Sequence, residues 1–197
     1  MRKLIVCNIV SLDGFFEGPE HDVMVMPFDQ GFGEYNAERL RTADTLLLGK
    51  TTFENFLGYW PGVADIEDAE PVEREISRLN NAIEKVVISD SLTVEQTAPW
   101  CDTRIVKRND AHAEIAKLKA AEGGDILVFG SHIMWNDLLA HGLVDELHIM
   151  IGAGIIGDGA RAFEGNAPGS LRLLDTVTWD GSNLVLLRYR VESSGGA

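Results

Sequence analysis

Two junctions in this chain have the residue types needed to hold an anion. In ILVFGSHIMWNDLLAHGLVDELHIMI, residues 126–151, an apolar run meets Gly130 and Ser131 and then an amphipathic stretch that opens on His132 and Ile133. In LLLGKTTFENF, another apolar run meets Gly49 and then Lys50, Thr51 and Thr52. A glycine lets the backbone approach a ligand closely, and the first residues of a helix leave N–H groups pointing outward, so both junctions suit phosphate. Ser131 stands where an N-cap belongs. Lys50 adds a full positive charge, and the threonine hydroxyls can donate to phosphate oxygens. A third strand end, VVISDSL, puts Ser89 and Ser91 in an equivalent place, although serines after strands commonly serve only as turn formers. Three such ends in one chain point to a polyphosphate ligand.

A fourth segment, SLDGFFEG, sets Ser11, Asp13 and Gly14 beside two aromatics, where a flat ring can lie over the loop or where an Asp-Gly turn is all there is. The literal GxGxxG at residues 152–157 follows a strand but runs on through Asp158 and Gly159 toward a hairpin. A dinucleotide fingerprint has to open a helix, so these glycines read instead as a loop lying close to a ligand or a partner subunit. The five histidines, His21, His112, His132, His141 and His148, fall at no metal-ligand spacing and sit in no nucleophile motif, so no metal is expected. Trp60-Pro61-Gly62 and Pro99-Trp100 read as packed turns.

The elements that position these junctions alternate along the chain. Apolar runs at 4–10, 45–48, 85–88, 104–106, 126–129 and 147–151 read as strands, several continuous enough to be covered on both faces. Helical patterns at 32–42, 51–57, 71–82, 111–121 and 132–141 lie between them, and Val72, Ile76, Leu79 and Ile83 form an apolar stripe. This alternation predicts a single-domain α/β fold with a mixed, mostly parallel central sheet flanked by helices. Near the end, 171–179 and 184–191 flank Asp180-Gly181, which predicts a C-terminal antiparallel hairpin. The domain is expected over 1–191, with 192–197 a flexible tail.

Composition narrows the partners. Thirty-one acidic against 17 basic side chains give a formal charge of −14, which disfavours nucleic acid and anionic membranes and requires any anionic ligand to sit in a local basic pocket. Two cysteines, Cys7 and Cys101, build no disulfide framework, and LIVCNIV is too short to span a membrane, so a cytoplasmic setting is expected.

Taken in order, SLDGFFEG, LLLGKTTFENF, GYWPG, LNNAIEKVVISDSL, residues 126–151 and GIIGDGARAF resemble the dihydrofolate-reductase-like family, closest to the reductase domain of bacterial riboflavin biosynthesis. The likeness covers residues 3 to about 191. It implies NADPH as cofactor, with Gly49, Lys50, Thr51, Ser89 and Ser91 on the adenosine 2′-phosphate side. Gly130, Ser131, His132 and Ile133 then lie on the pyrophosphate, and the segment from Ile9 through Gly14 borders the nicotinamide. Two departures bear on the substrate. Met26-Pro27-Phe28-Asp29 stands where dihydrofolate reductases proper carry a Pro-Trp pair, and Lys50 stands where arginine is common, keeping the charge without the bidentate fork.

The activity implied is NADPH-dependent hydride transfer to a small heterocycle, such as 5-amino-6-(5-phosphoribosylamino)uracil or a pterin-like compound. The alternatives are dihydrofolate reduction proper and a non-catalytic nucleotide-binding protein. Asp13, with its pKa raised by partial burial, is the first candidate proton donor, and Asp29 the second. A homodimer is expected, because late apolar strands otherwise leave an exposed edge. A valine at Gly130 is expected to fill the phosphate space and abolish cofactor binding without unfolding the protein.

Overall fold

The computed structural model describes residues 1–163, 165 and 170–192, and these group into two compact units. The first comprises residues 1–4 and 33–131, the second 5–32 and 132 onward. In chain order the elements are β1 (Leu4–Val10), β2 (Phe15–Glu17), α1 (Gln30–Thr42), β3 (Ala43–Gly49), α2 (Lys50–Val63), α3 (Pro71–Ala82) and β4 (Glu84–Ile88). They continue with β5 (Arg104–Val106), α4 (Ala111–Ala120), β6 (Asp125–Phe129), α5 (His132–Ala140), β7 (Glu146–Ile151), β8 (Ala160–Arg161), β9 (Ser170–Val177) and β10 (Val185–Glu192).

In the first unit the strand order is β5-β4-β3-β6, and every pairing is parallel. Parallel strands joined by crossover helices are covered on both faces, which is why 46–48, 86–87 and 126–128 are unbroken apolar runs with essentially no exposure. Each such leucine or isoleucine contributes about 1.5–3 kcal/mol on burial. Phe53 of α2 and Ile115 of α4 are fully buried as well. Because the strands are parallel, Gly49, Ile88 and Phe129 all end on the same side, and the turns after them are neighbours.

In the second unit the order is β1-β7-β10-β9, with β1 parallel to β7 and the last two pairings antiparallel. The predicted hairpin is present, and Gly181 at its tip takes a left-handed φ of 79°. Trp135, Leu138 and Leu139 of α5 are buried. Together these elements make the expected α/β fold with a mixed, mostly parallel sheet.

Three expectations change. Helix α2 does not stop near residue 57 but continues through Trp60-Pro61-Gly62 to Val63. Neighbouring α3 explains this: Ser77 Oγ donates to the Trp60 carbonyl at 2.6 Å and accepts from Ala64 N at 2.9 Å, and Asn81 Nδ2 donates to the Pro61 carbonyl at 3.1 Å. These bonds satisfy the groups that a helix end leaves open. The short antiparallel pair β2–β8 was not anticipated, since three residues carry no periodicity. The last strand runs to Glu192, which therefore belongs to the sheet, and the remainder of the expected tail lies outside the described residues.

Candidate functional site

The turns after β3, β4 and β6 form one cluster in the first unit. Ser131 Oγ accepts from Gly49 N–H at 2.8 Å and donates to Thr52 Oγ1 at 2.7 Å, tying the β6 turn to the first turn of α2. Both glycines are required by that contact. A Cβ on Gly49 would lie 2.8 Å from Ser131 Oγ, and one on Gly130, whose φ is 60°, would lie 2.8 Å from Thr52. Gly130 thus makes room for Thr52, which corrects the expectation that a larger side chain there would meet only the ligand. The Ser131 hydroxyl is likewise occupied by protein groups, and Ser131 itself takes a left-handed φ of 55°.

Lys50 follows this junction directly, and two further cations meet the turn after β4. Lys50 Nζ is 3.2 Å from Ser91 Oγ and 3.6 Å from Glu54. Ser89 does not join them as a donor: it is buried, and its hydroxyl accepts from the N–H groups of Ser91 at 3.1 Å and Leu92 at 2.9 Å. It builds the turn that presents Ser91. Thr51 is exposed in the first turn of α2, a helix that no side chain caps and that has no acidic residue in its first turn. Sequence reasoning missed Lys107 and Arg108. Lys107 Nζ reaches the Asp90 carbonyl at 2.8 Å, and Asp90 Oδ1 accepts from Arg108 N–H at 3.1 Å. The signal was available, because Lys-Arg follows β5 directly and is a fourth strand end.

The second unit holds the remaining candidates. Ile9 is buried in β1 opposite Met150, and Gly14 is a left-handed turn residue with φ 85°. Asp13 is not a proton donor in waiting. Its carboxylate accepts from Ser11 Oγ at 2.7 Å, Gly157 N–H at 2.8 Å and Ile156 N–H at 3.1 Å. The Ser11 hydroxyl chiefly, with backbone N–H groups adding to it, outweighs the opposing desolvation and brings its pKa down to about 2. Asp13 is therefore an ionised staple that fixes the glycine loop.

Asp29 is a staple too. Its carboxylate accepts from Gly31 N–H, Ser182 Oγ and Asn183 N–H, each at 2.9 Å, pinning the start of α1 to the hairpin tip. The loop glycines serve close packing within the chain. A Cβ on Gly152 would fall on Pro27, and one on Gly159 would fall on the Glu17 carbonyl. Among the described residues no helix opens at the GxGxxG, as its surroundings predicted.

At the start of α5, His132 is buried and Ile133 is 71% exposed, an unusual placement for an isoleucine in a first helical turn. The His132 ring lies 5.0 Å from the Phe16 ring, and its Nδ1 is 4.0 Å from Glu17 Oε1. The same carboxylate oxygen is 2.6 Å from His21 Nδ1. This Glu17–His21–His132 group escaped sequence analysis because a Glu and a His four residues apart carry no motif and His132, which completes it, is remote in the chain.

Known proteins share this architecture. The uncharacterized protein YyaP of Bacillus subtilis (strain 168) is 31% identical over 165 residues, which cover 82% of this chain and 80% of that protein. The crystal structure of a diaminohydroxyphosphoribosylaminopyrimidine deaminase/5-amino-6-(5-phosphoribosylamino)uracil reductase from Thermotoga maritima superposes with a TM-score of 0.66 at 13% identity, covering 97% of this chain and 57% of that one. Dihydrofolate reductase from Enterococcus faecalis, complexed with NADP(H), superposes with a TM-score of 0.61 at 14% identity, covering 97% of each chain. These superpositions show the dihydrofolate-reductase-like fold. The family model of the RibD C-terminal domain matches residues 2–186, nearly the whole length, and the chain belongs to that family.

Proposed function

We propose that this protein is an NADPH-dependent reductase that passes a hydride to a small heterocycle carrying a C=N or C=O bond. The observation that carries the reading is the basic cluster at the strand ends of the first unit. In a chain of net charge −14, Lys50 meets Ser91 beside Thr51, and Lys107 and Arg108 both reach Asp90, the residue before Ser91, with Glu54 and Asp90 as the nearby acids. This donor set suits a sugar phosphate: cations for its charge, hydroxyls for its oxygens and the partial positive charge of the first turn of α2. NADPH, when bound, supplies the hydride, and the protein's part is to hold and orient it. Lys50 and Ser91 hold the 2′-phosphate, with Thr51 beside them. By the family resemblance, the backbone of Gly130 through Ile133 would hold the pyrophosphate and the segment from Ile9 to Gly14 would border the nicotinamide. Membership in the RibD C-terminal domain family supports reduction as the chemistry.

The test is loss of NADPH absorbance on adding 5-amino-6-(5-phosphoribosylamino)uracil or dihydrofolate. Oxidation dependent on the uracil is the expected result. Faster oxidation with dihydrofolate points to folate reduction, and tight NADPH binding without turnover of either compound points to a nucleotide-binding protein that does no chemistry.

We further propose a homodimer through β9 and β10. The β10–β9 register places Leu171, Leu173, Val185, Leu187 and Tyr189 on one face, with Leu171, Leu173 and Val185 between 39% and 50% exposed. A row of this kind on an edge pair favours association. Light scattering should give twice 21.6 kDa for the native chain. Leu173→Asp should give a monomer, and a monomeric native chain at micromolar concentration would remove the proposal.

No helix among the described residues is long and apolar enough to cross a membrane.

A further inference from the structure

With Asp13 and Asp29 both held as staples, the proton that must accompany hydride transfer needs another source. We propose that His21, gripped by the buried carboxylate of Glu17, donates that proton to the substrate. The inference rests on the reductase reading above.

Four observations carry it. Glu17 is only 6% exposed, and its Oε1 sits 2.6 Å from His21 Nδ1, so one ring nitrogen is fixed and Nε2 is the one left for a ligand. The His21 side chain is 82% exposed, so that nitrogen is open to a ligand, and β2, which carries Glu17, follows directly on the segment assigned to the nicotinamide. Glu20 and His21 are consecutive non-glycine residues in the left-handed region, with φ of 59° and 62°. Strain of this kind persists only where the surroundings enforce it, and it concentrates at working sites. Finally, the carboxylate that holds His21 also lies 4.0 Å from Nδ1 of His132, the first residue of α5. His21 is therefore built onto the same group as the helix start assigned to the pyrophosphate.

The charge environment agrees. The Glu17 hydrogen bond and its negative charge raise the His21 pKa, against a smaller desolvation effect. The groups facing this corner are Glu17 of β2, His132 of α5 and, on β8, Arg161, which is turned onto the Phe15 ring and the Asp13 carbonyl. Glu20 and Asp22 flank His21 on its own segment. In the step proposed, the carbon of the substrate C=N or C=O bond takes hydride from the reduced nicotinamide, and the π pair of that bond moves to nitrogen or oxygen. That atom accepts the proton from His21 Nε2. The neutral imidazole then regains a proton from solvent through its exposed edge.

Two measurements test this. The first, without turnover, is an NMR titration of the His21 ring in the native chain and in Glu17→Gln. A pKa above that of free histidine is expected, falling in the variant, and a ring that titrates identically in both overturns the proposal. The second is NADPH oxidation with 5-amino-6-(5-phosphoribosylamino)uracil or dihydrofolate. His21→Gln should lower kcat about 100-fold or more, with the NADPH dissociation constant unchanged. Because the protonated ring is the active form, native kcat should fall as pH rises through the His21 pKa, and Glu17→Gln should move that fall to lower pH. Native turnover with an unaltered rate and pH profile in His21→Gln overturns the proton-donor role alone. If the native chain turns over neither compound, the reductase reading fails and this role fails with it.

Discussion

Replacing Lys50 with Ala is expected to weaken NADPH binding by about 1–3 kcal/mol, the range of a charge-assisted hydrogen bond, and NADH binding by less. The difference between the two cofactors is the diagnostic quantity. Lys50 opens α2 with its Nζ beside Ser91, and its ion pair with Glu54 is weak: the separation is 3.6 Å and both side chains are partly exposed. Such a pair adds well under 1 kcal/mol to stability, so thermal unfolding of Lys50→Ala should match the native chain. Lys50→Arg should retain most of the NADPH preference, since the charge remains. The check is fluorescence titration of both cofactors against all three proteins. Equal losses for NADPH and NADH would place Lys50 away from the 2′-phosphate.

Gly130→Val is expected to destabilise the fold itself, by roughly 2–5 kcal/mol. About 1–2 kcal/mol comes from holding an L side chain at the observed φ of 60°, and about 1–3 kcal/mol comes from forcing a methyl-bearing Cβ against Thr52. The damage spreads, because Thr52 is bonded to Ser131 and Ser131 to Gly49. Ser131→Ala removes the hydrogen bonds without the clash and should cost only about 1 kcal/mol. Denaturant unfolding separates the outcomes. A valine variant as stable as the native protein yet unable to bind NADPH would show that Gly130 faces the ligand rather than Thr52.

The placement of side-chain hydroxyls shows where reading from sequence stops. Ser131 and Ser89 stand at strand ends, where a phosphate ligand and a turn former look alike, and burial settled Ser89 as a turn former. Asp13 presented the same ambiguity in SLDGFFEG. The local Ser11 hydroxyl chiefly holds it ionised, but the N–H groups that add to this, on Gly157 and Ile156, are 144 and 143 residues away and were not legible in the segment. Helix α2 outran its predicted end because Ser77 and Asn81 of another helix satisfy its last groups.

What the amino-acid order determined by itself is the alternation of elements, the parallel character of the first unit, the closing hairpin and the family. These rest on local quantities: apolar runs of strand length, stripes at helical spacing, an Asp-Gly tip and the order of six motifs. What only the tertiary structure decided is the occupation of each polar group. Ser131 meets partners 79 and 82 positions away, and Asp29 meets one 153 away. Glu17 draws His21 and His132 to a single carboxylate. Hydrogen bonds and close glycine contacts depend on distances of a few tenths of an ångström between segments remote in the chain, and periodicity carries no information about those distances.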